Sequence, residues 1–137
     1  MNFWNTQRKG ANQFCQTPPG DDWWKAAKAL GIQFVRLTPG KWKGAGKDFL
    51  IGSADDYRGL IPEDVSILQN QLSLAEKHGI KVILTMLTLP GSRWRQHNQD
   101  KSDPRLWTQH QYWSQAALFW RDLARLLRGH PAVDGAG

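Results

Sequence analysis

The chain has 137 residues, which allows at most one domain of ordinary size within it. Its 40% hydrophobic content is normal for a globular chain, and the formal charge of +6 comes with no nucleic-acid motif, so the basic residues read as a solvated surface. Cys15 is the one cysteine, which excludes an internal disulfide and a thiolate metal cluster, and no stretch approaches the roughly 20 apolar residues of a membrane helix.

Three strand-then-helix units can be read along the chain. The first strand is short, around Gln7 to Asn12, and leads into the turn Thr17-Pro18-Pro19-Gly20. Asp21 or Asp22 then suits a helix N-cap, because a carboxylate accepts one of the free N–H groups of the first turn. Trp23, Ala26, Ala27 and Leu30 fall on one helical face, and Gly31 is a C-terminal stop. The second strand is Ile32 to Leu37, β-branched and aromatic, closed by Thr38-Pro39-Gly40. A long polar, glycine-rich loop follows. It includes the densest basic stretch, Lys41 to Lys47, which holds only three lysines. Pro62 suits the first position of the second helix, with Glu63 and Asp64 complementing its dipole. Val65, Leu68, Leu72 and Ala75 make its apolar stripe, and Gly79 ends it.

The third strand, Lys81 to Leu87, is a nearly continuous apolar run, as expected of a parallel strand buried on both faces. Pro90-Gly91 breaks it. A charged loop rich in Arg, Trp, His and Asn runs from Ser92 to Leu106. Thr108-x-x-Gln111 has the pattern of a capping box opening the third helix. Trp113, Ala116, Ala117, Trp120, Leu123, Ala124 and Leu127 follow at helical spacing, and Gly129 and Pro131 end the element. Strands alternating with helices predict a parallel sheet with right-handed crossovers.

In such a sheet, function gathers at the C-terminal ends of the strands, and here the polar and aromatic loops lie at those ends. Arg36 stands inside an apolar strand, where a guanidinium stays charged and needs partners. A structural ion pair and a functional arginine would each meet that need. Trp42, Trp94 and Trp107 are loop tryptophans. A pyranose ring has an apolar face that packs on indole, and neighbouring polar groups bind its hydroxyls. Trp94 lies in Ser92-Arg93-Trp94-Arg95-Gln96-His97-Asn98, which mixes such groups, and His97 joins it as a candidate. Alternatively these rings fold down on the helices. Trp23, Trp24, Trp113 and Trp120 occupy helical positions and read as packing residues. His78, His97, His110 and His130 show no metal-ligand spacing, so no metal is expected. No Gly-rich phosphate loop is present, and no cofactor is expected. Glu63 and Glu76 are on the outer helix, while Asp55, Asp56, Asp100 and Asp103 read as solvated turn residues or caps. None makes a credible carboxylate pair.

Lys9-Gly10-Ala11-Asn12, Phe34-Val35-Arg36-Leu37, Val82 to Gly91, and Phe119-Trp120-Arg121-Asp122-Leu123-Ala124 with His130-Pro131-Ala132-Val133 together resemble glycoside hydrolase family 5, the cellulase-like sugar hydrolases. The resemblance implies an α/β fold, a partial (β/α)8 TIM barrel of about three units. A complete barrel needs roughly 200 residues or more. It also implies that Arg36 supports catalytic carboxylates and that Asn12 hydrogen-bonds at the barrel mouth. In the family the acid/base glutamate lies in an Asn-Glu-Pro segment on strand four and the nucleophile on strand seven. Neither segment occurs among these residues. Thr85-Met86-Leu87 stands where many members carry Asp-x-His before the Pro-Gly.

The expectation is an N-terminal fragment, residues 1–137, of a retaining glycoside hydrolase acting on β-linked sugar, inactive alone. The alternatives are a carbohydrate-binding remnant and a small basic interaction domain. Expected partners are a β-glycan, with neither nucleic acid nor membrane, and self-association through the open sheet. No secretory signal is visible, although family members are often exported, and no compartment is assigned.

Overall fold

The computed structural model describes residues 2–42 and 48–133. Residues 43–47 of the basic loop, and 134–137 after the third helix, lie outside the described residues. Among the described residues, β1 (Gly10–Gln13), β2 (Phe34–Leu37) and β3 (Lys81–Leu84) form a parallel sheet in the order β1-β2-β3. Helix α1 (Asp21–Ala29) connects the first two strands and α2 (Pro62–Lys77) the second and third. The one-turn helix α3 (Arg105–Thr108) and the long helix α4 (His110–Leu127) follow β3. This is the α/β arrangement of three successive units of a (β/α) barrel.

The register sets the two faces of the sheet. Gly10, Phe34 and Lys81 stand side by side, as do Asn12, Arg36 and Ile83. Side chains alternate along a strand, so Val35, Leu37 and Val82 point the other way and are buried. Under the helices they meet Trp24, Leu68, Leu72, Ile80 and Phe119. The expected apolar stripe of α2 is seen in Leu68, Leu72 and Ala75, with Val65 partly buried beside them.

Other elements depart from the expected pattern. The N-cap of α1 is Gly20, and Asp21 is the first helical residue. The Asp21 carboxylate instead accepts from Lys77 Nζ at 2.9 Å and meets His78 Nε2 at 2.8 Å, tying α1 to the end of α2. The buried residues of α1 are Trp24 and Ala27, while Leu30 is exposed. This turn of the helix has a polar cause: Trp24 Nε1 donates to Gln71 Oε1 at 2.9 Å, and Gln71 Nε2 donates to the Pro19 carbonyl at 2.7 Å. The loop after β2 is less polar in practice than in sequence, since Phe49, Leu50, Ile51 and Ala54 are all buried.

The capping box at Thr108 does not form. The Thr108 hydroxyl donates to the Pro104 carbonyl within α3, and Gln109 is extended, so the chain turns before α4 starts at His110. That turn rotates the buried stripe of α4 to Tyr112, Ala116, Phe119, Leu123 and Leu127. Trp113 and Trp120, expected as packing residues, are 52% and 41% exposed. After α4 the chain returns to the sheet, where Ala132 O accepts from Val82 N at 2.7 Å. An apolar groove of about 500 Å³ lies between β3 and α4, lined by Ile83, Trp120, Leu123 and Leu127 among others. No helix among the described residues is long and apolar enough to cross a membrane.

The Trp24–Gln71–Pro19 relay gives a direct test. Gln71→Leu leaves the buried Trp24 indole N–H and the partly buried Pro19 carbonyl without these partners. It should lower stability by about 1–3 kcal/mol, measured by chemical denaturation with unchanged helical content. A loss below about 0.5 kcal/mol would show that the relay contributes little.

Candidate functional site

One face of the sheet carries an open hollow of about 300 Å³, lined by Gly10, Ala11, Asn12, Phe34, Arg36 and Ile83. Gly10 and Phe34 open β1 and β2, and Asn12 and Arg36 stand two residues nearer the C-terminal ends of those strands. Gly10 is required by close approach. A Cβ there would come within 2.2 Å of the Phe34 ring, which lies across the strand. Trp4 packs edge-on against the same ring at 5.3 Å. Phe34 thus floors the hollow, and Asn12 and Arg36 stand above it, adjacent in register and exposed. No residue lining the hollow is acidic.

Arg36 makes no ion pair among the described residues. Its guanidinium lies 5.3 Å from the centroid of the Phe14 ring. Phe14 follows β1 two residues after Asn12, so strand alternation returns it to the same face. Lys41 Nζ lies 5.3 Å from the Phe14 centroid and 5.2 Å from that of Trp94. Trp94 in turn meets the His97 ring edge-on at 5.0 Å. A continuous row of cations and rings therefore runs from Arg36 through Phe14, Lys41 and Trp94 to His97. It brings together Asn12, Arg36, Trp94 and His97, and adds Phe14 and Lys41, which sequence patterning did not single out. Trp42 does not join this row. Its ring packs edge-on against Phe49 at 5.2 Å and against the core, and its Nε1 is buried with no hydrogen-bond partner among the described residues. Trp107 is exposed on α3.

The loops carrying this row are fixed by a network of charges. Arg93 donates to both carboxylate oxygens of Asp48, at 2.8 to 3.1 Å, and the Asp48 side chain is 2% exposed. Ala54 N also donates to Asp48, at 2.7 Å. Asp55 lies between the two arginines, 3.3 Å from Arg93 and 2.9 Å from Arg105. Arg105 grips Asp103 through two bonds of 2.8 Å, and Asp103 also accepts from Arg93 N. Asp55 is a solvent-exposed turn residue that also pairs with both arginines, whereas the Asp103 side chain is mostly buried, accepts from backbone N–H groups as a cap would, and pairs with Arg105. The Asp48 pairing holds the Arg93 guanidinium protonated above its ordinary range, with Asp55 adding to it. Asp103 does the same for Arg105.

The network also fixes Trp94, because it follows Arg93 directly and its backbone N–H donates to Thr88 Oγ1 at 2.9 Å. Behind it, Gly91 packs so closely on Tyr112 that a Cβ would lie 2.5 Å from the ring, and its positive φ suits glycine. Tyr57 ties the preceding loop to α4 by donating to Asp122 at 2.6 Å, and burial together with that bond pushes its phenol pKa upward.

No group of three or more His, Cys, Asp or Glu among the described residues could hold a metal ion. The chemistry available at the hollow is polar and cationic binding beside aromatic faces.

No protein-family model matches the chain, and no curated protein matches it. The fold is similar to that of the Pseudomonas stutzeri endoglucanase Cel5A. The TM-score is 0.60 and the identity 23% over 92% of this chain. A second structure of the same enzyme, in complex with cellobiose, matches with the same TM-score and identity. The chain spans 39% and 38% of those two chains. At this identity the likeness is one of fold, and it agrees with the partial barrel described above.

The network has a pH signature. Arg105 holds the Asp103 carboxyl at a pKa of about 2, against about 3.9 in an unfolded chain. The stabilisation is therefore complete above about pH 4 and is lost as pH falls through 2. Melting temperature should drop steeply across that window. Asp103→Asn should flatten the drop and cost about 2 kcal/mol at neutral pH. Parallel acid profiles for the two proteins would place the titrating group elsewhere.

Proposed function

We propose that this chain binds a β-linked sugar at the mouth of its parallel strands, as part of a retaining glycoside hydrolase-like barrel. The observation that carries the reading is the juxtaposition of Asn12 and Arg36 over an open hollow, with the row of Phe14, Lys41, Trp94 and His97 leading away from Arg36. Exposed amide and guanidinium donors suit sugar hydroxyls, and indole suits the apolar face of a pyranose. The fold likeness to an endoglucanase solved with cellobiose supports this reading.

Retaining hydrolysis needs two carboxyl groups about 5–5.5 Å apart across the scissile bond. The hollow is lined by none, and Asp48, Asp55 and Asp103 are held by Arg93 and Arg105. In this reading Arg36 supports catalytic carboxylates supplied from outside the described residues, while Asn12, Trp94 and His97 hold the sugar. The 137-residue chain by itself binds without cleaving. Trp42, with its ring in the core, has no part in the proposed site.

The reading is tested by titrating the chain with cellotetraose and following tryptophan fluorescence. A saturable shift is expected, with affinity about tenfold weaker in Trp94→Ala. No reducing ends should be released above the uncatalysed rate. Absence of any shift at millimolar sugar would remove the carbohydrate reading. Turnover would show that a carboxylate pair exists and overturn the binding-only role.

A further inference from the structure

The carbohydrate reading assigns Arg36 to the support of carboxylates, but it leaves a second cation unexplained. Lys41 ends a short 3-10 turn, Pro39–Lys41, in which Pro39 and Gly40 are both buried. A Cβ on Gly40 would lie 3.4 Å from the backbone of Leu87, so the turn is packed against the chain beyond β3. The backbone that presents Lys41 is therefore held in place. Its ammonium is partly buried near the Phe14 and Trp94 rings and makes no ion pair among the described residues.

Arg36 shares the Phe14 ring, so two positive charges gather at one aromatic side chain. They lie within roughly a Debye length of each other, about 10 Å, and repel. The nearby carboxylates do not relieve this. Asp48, Asp55 and Asp103 are engaged by Arg93 and Arg105, and Asp100 faces Arg95. Ring faces offset part of the cost of partly desolvating an ammonium, but they supply no negative charge. Among the described residues, no carboxylate pairs with Lys41 beside Trp94.

We propose that Lys41 is a specificity-determining residue that selects a β-linked oligosaccharide carrying a carboxylate, a uronic acid residue, beside the pyranose stacked at Trp94. The proposal rests on the carbohydrate reading and deepens it. A positioned ammonium pays little reorganisation on binding, so most of its Coulomb attraction appears as selectivity between acidic and neutral sugars.

The test compares cellotetraose with the same tetrasaccharide oxidised at C6 to a uronic acid, by calorimetry on the 137-residue chain at low and moderate salt. The acidic sugar should bind about tenfold tighter at low salt, with the ratio shrinking as salt rises. Lys41→Met, which keeps the apolar stem, should bring the ratio close to one, and Lys41→Arg should restore it. Circular dichroism confirms that each variant is folded. If neither variant folds, the salt dependence of the ratio in the unmodified chain decides. Equal affinities for the two sugars would overturn the proposal and leave the carbohydrate reading standing. A preference that survives Lys41→Met would show that another group reads the acid. Failure of both sugars to bind would remove the carbohydrate reading and this proposal with it.

Discussion

The pair of Arg93 with the buried Asp48 is the interaction on which the arrangement of the loops after β2 and β3 depends. Asp48 lies in the loop after β2 and Arg93 in the loop after β3, so one bidentate contact joins two segments that share no strand ladder. A carboxylate as buried as Asp48 is expensive to desolvate unless its oxygens are fully hydrogen-bonded. Two guanidinium nitrogens and the Ala54 N–H supply those bonds. Removing Arg93 would leave the Asp48 carboxylate as an uncompensated charge inside the protein, and such a charge is costly enough to rearrange both loops. Trp94, next in the chain to Arg93, would move with them.

Asp55, Arg105, Asp103 and Tyr112 extend this pair into a chain of alternating charges. Arg105 spans Asp55, Asp103 and the Tyr112 hydroxyl, and that hydroxyl donates to the Asp55 carbonyl. Each arginine is shared, so ordering one side chain serves several contacts and the entropic cost per contact falls. The result is a rigid platform behind a cationic, aromatic surface. Asp48 and Asp103 are the closed-off members of this network, with side chains 2% and 6% exposed, while Asp55 stays open to solvent.

The α/β class and the order of elements were legible from local pattern. The stripe of α2 and the apolar run of β3 carry their period plainly, and parallel connectivity follows from alternation. The finer rotation of α1 and α4 was not legible. Trp24 turns inward because Gln71, 47 positions away, offers its indole an acceptor. No helical pattern contains that information. In α4, the extended Gln109 resets the helix before its stripe begins, so Trp113 and Trp120 lose the inward positions that spacing assigned them. In the candidate site, the shared face of Asn12 and Arg36 was legible from strand position. Phe14 carried a usable signal, lying two residues past Asn12 on an alternating strand. Lys41 and the Arg93 network carried none, because long-range charge pairing leaves no mark on local spacing. Asp55 and Asp103 looked like ordinary turn residues for the same reason.

The bond from Val82 N to Ala132 O has a consequence for how the edge of the sheet is guarded. The N–H of Val82 is covered by a segment that arrives after a complete helix rather than by the neighbouring strand. Its protection from solvent exchange is therefore coupled to the docking of α4 and decoupled from the β1–β2 ladder. A transient release of residues 130–133 would open this one amide while leaving Val35 sealed in the interior. The same release would uncover Ala132, which is buried in the core, and Val133 at the rim of the groove beside β3.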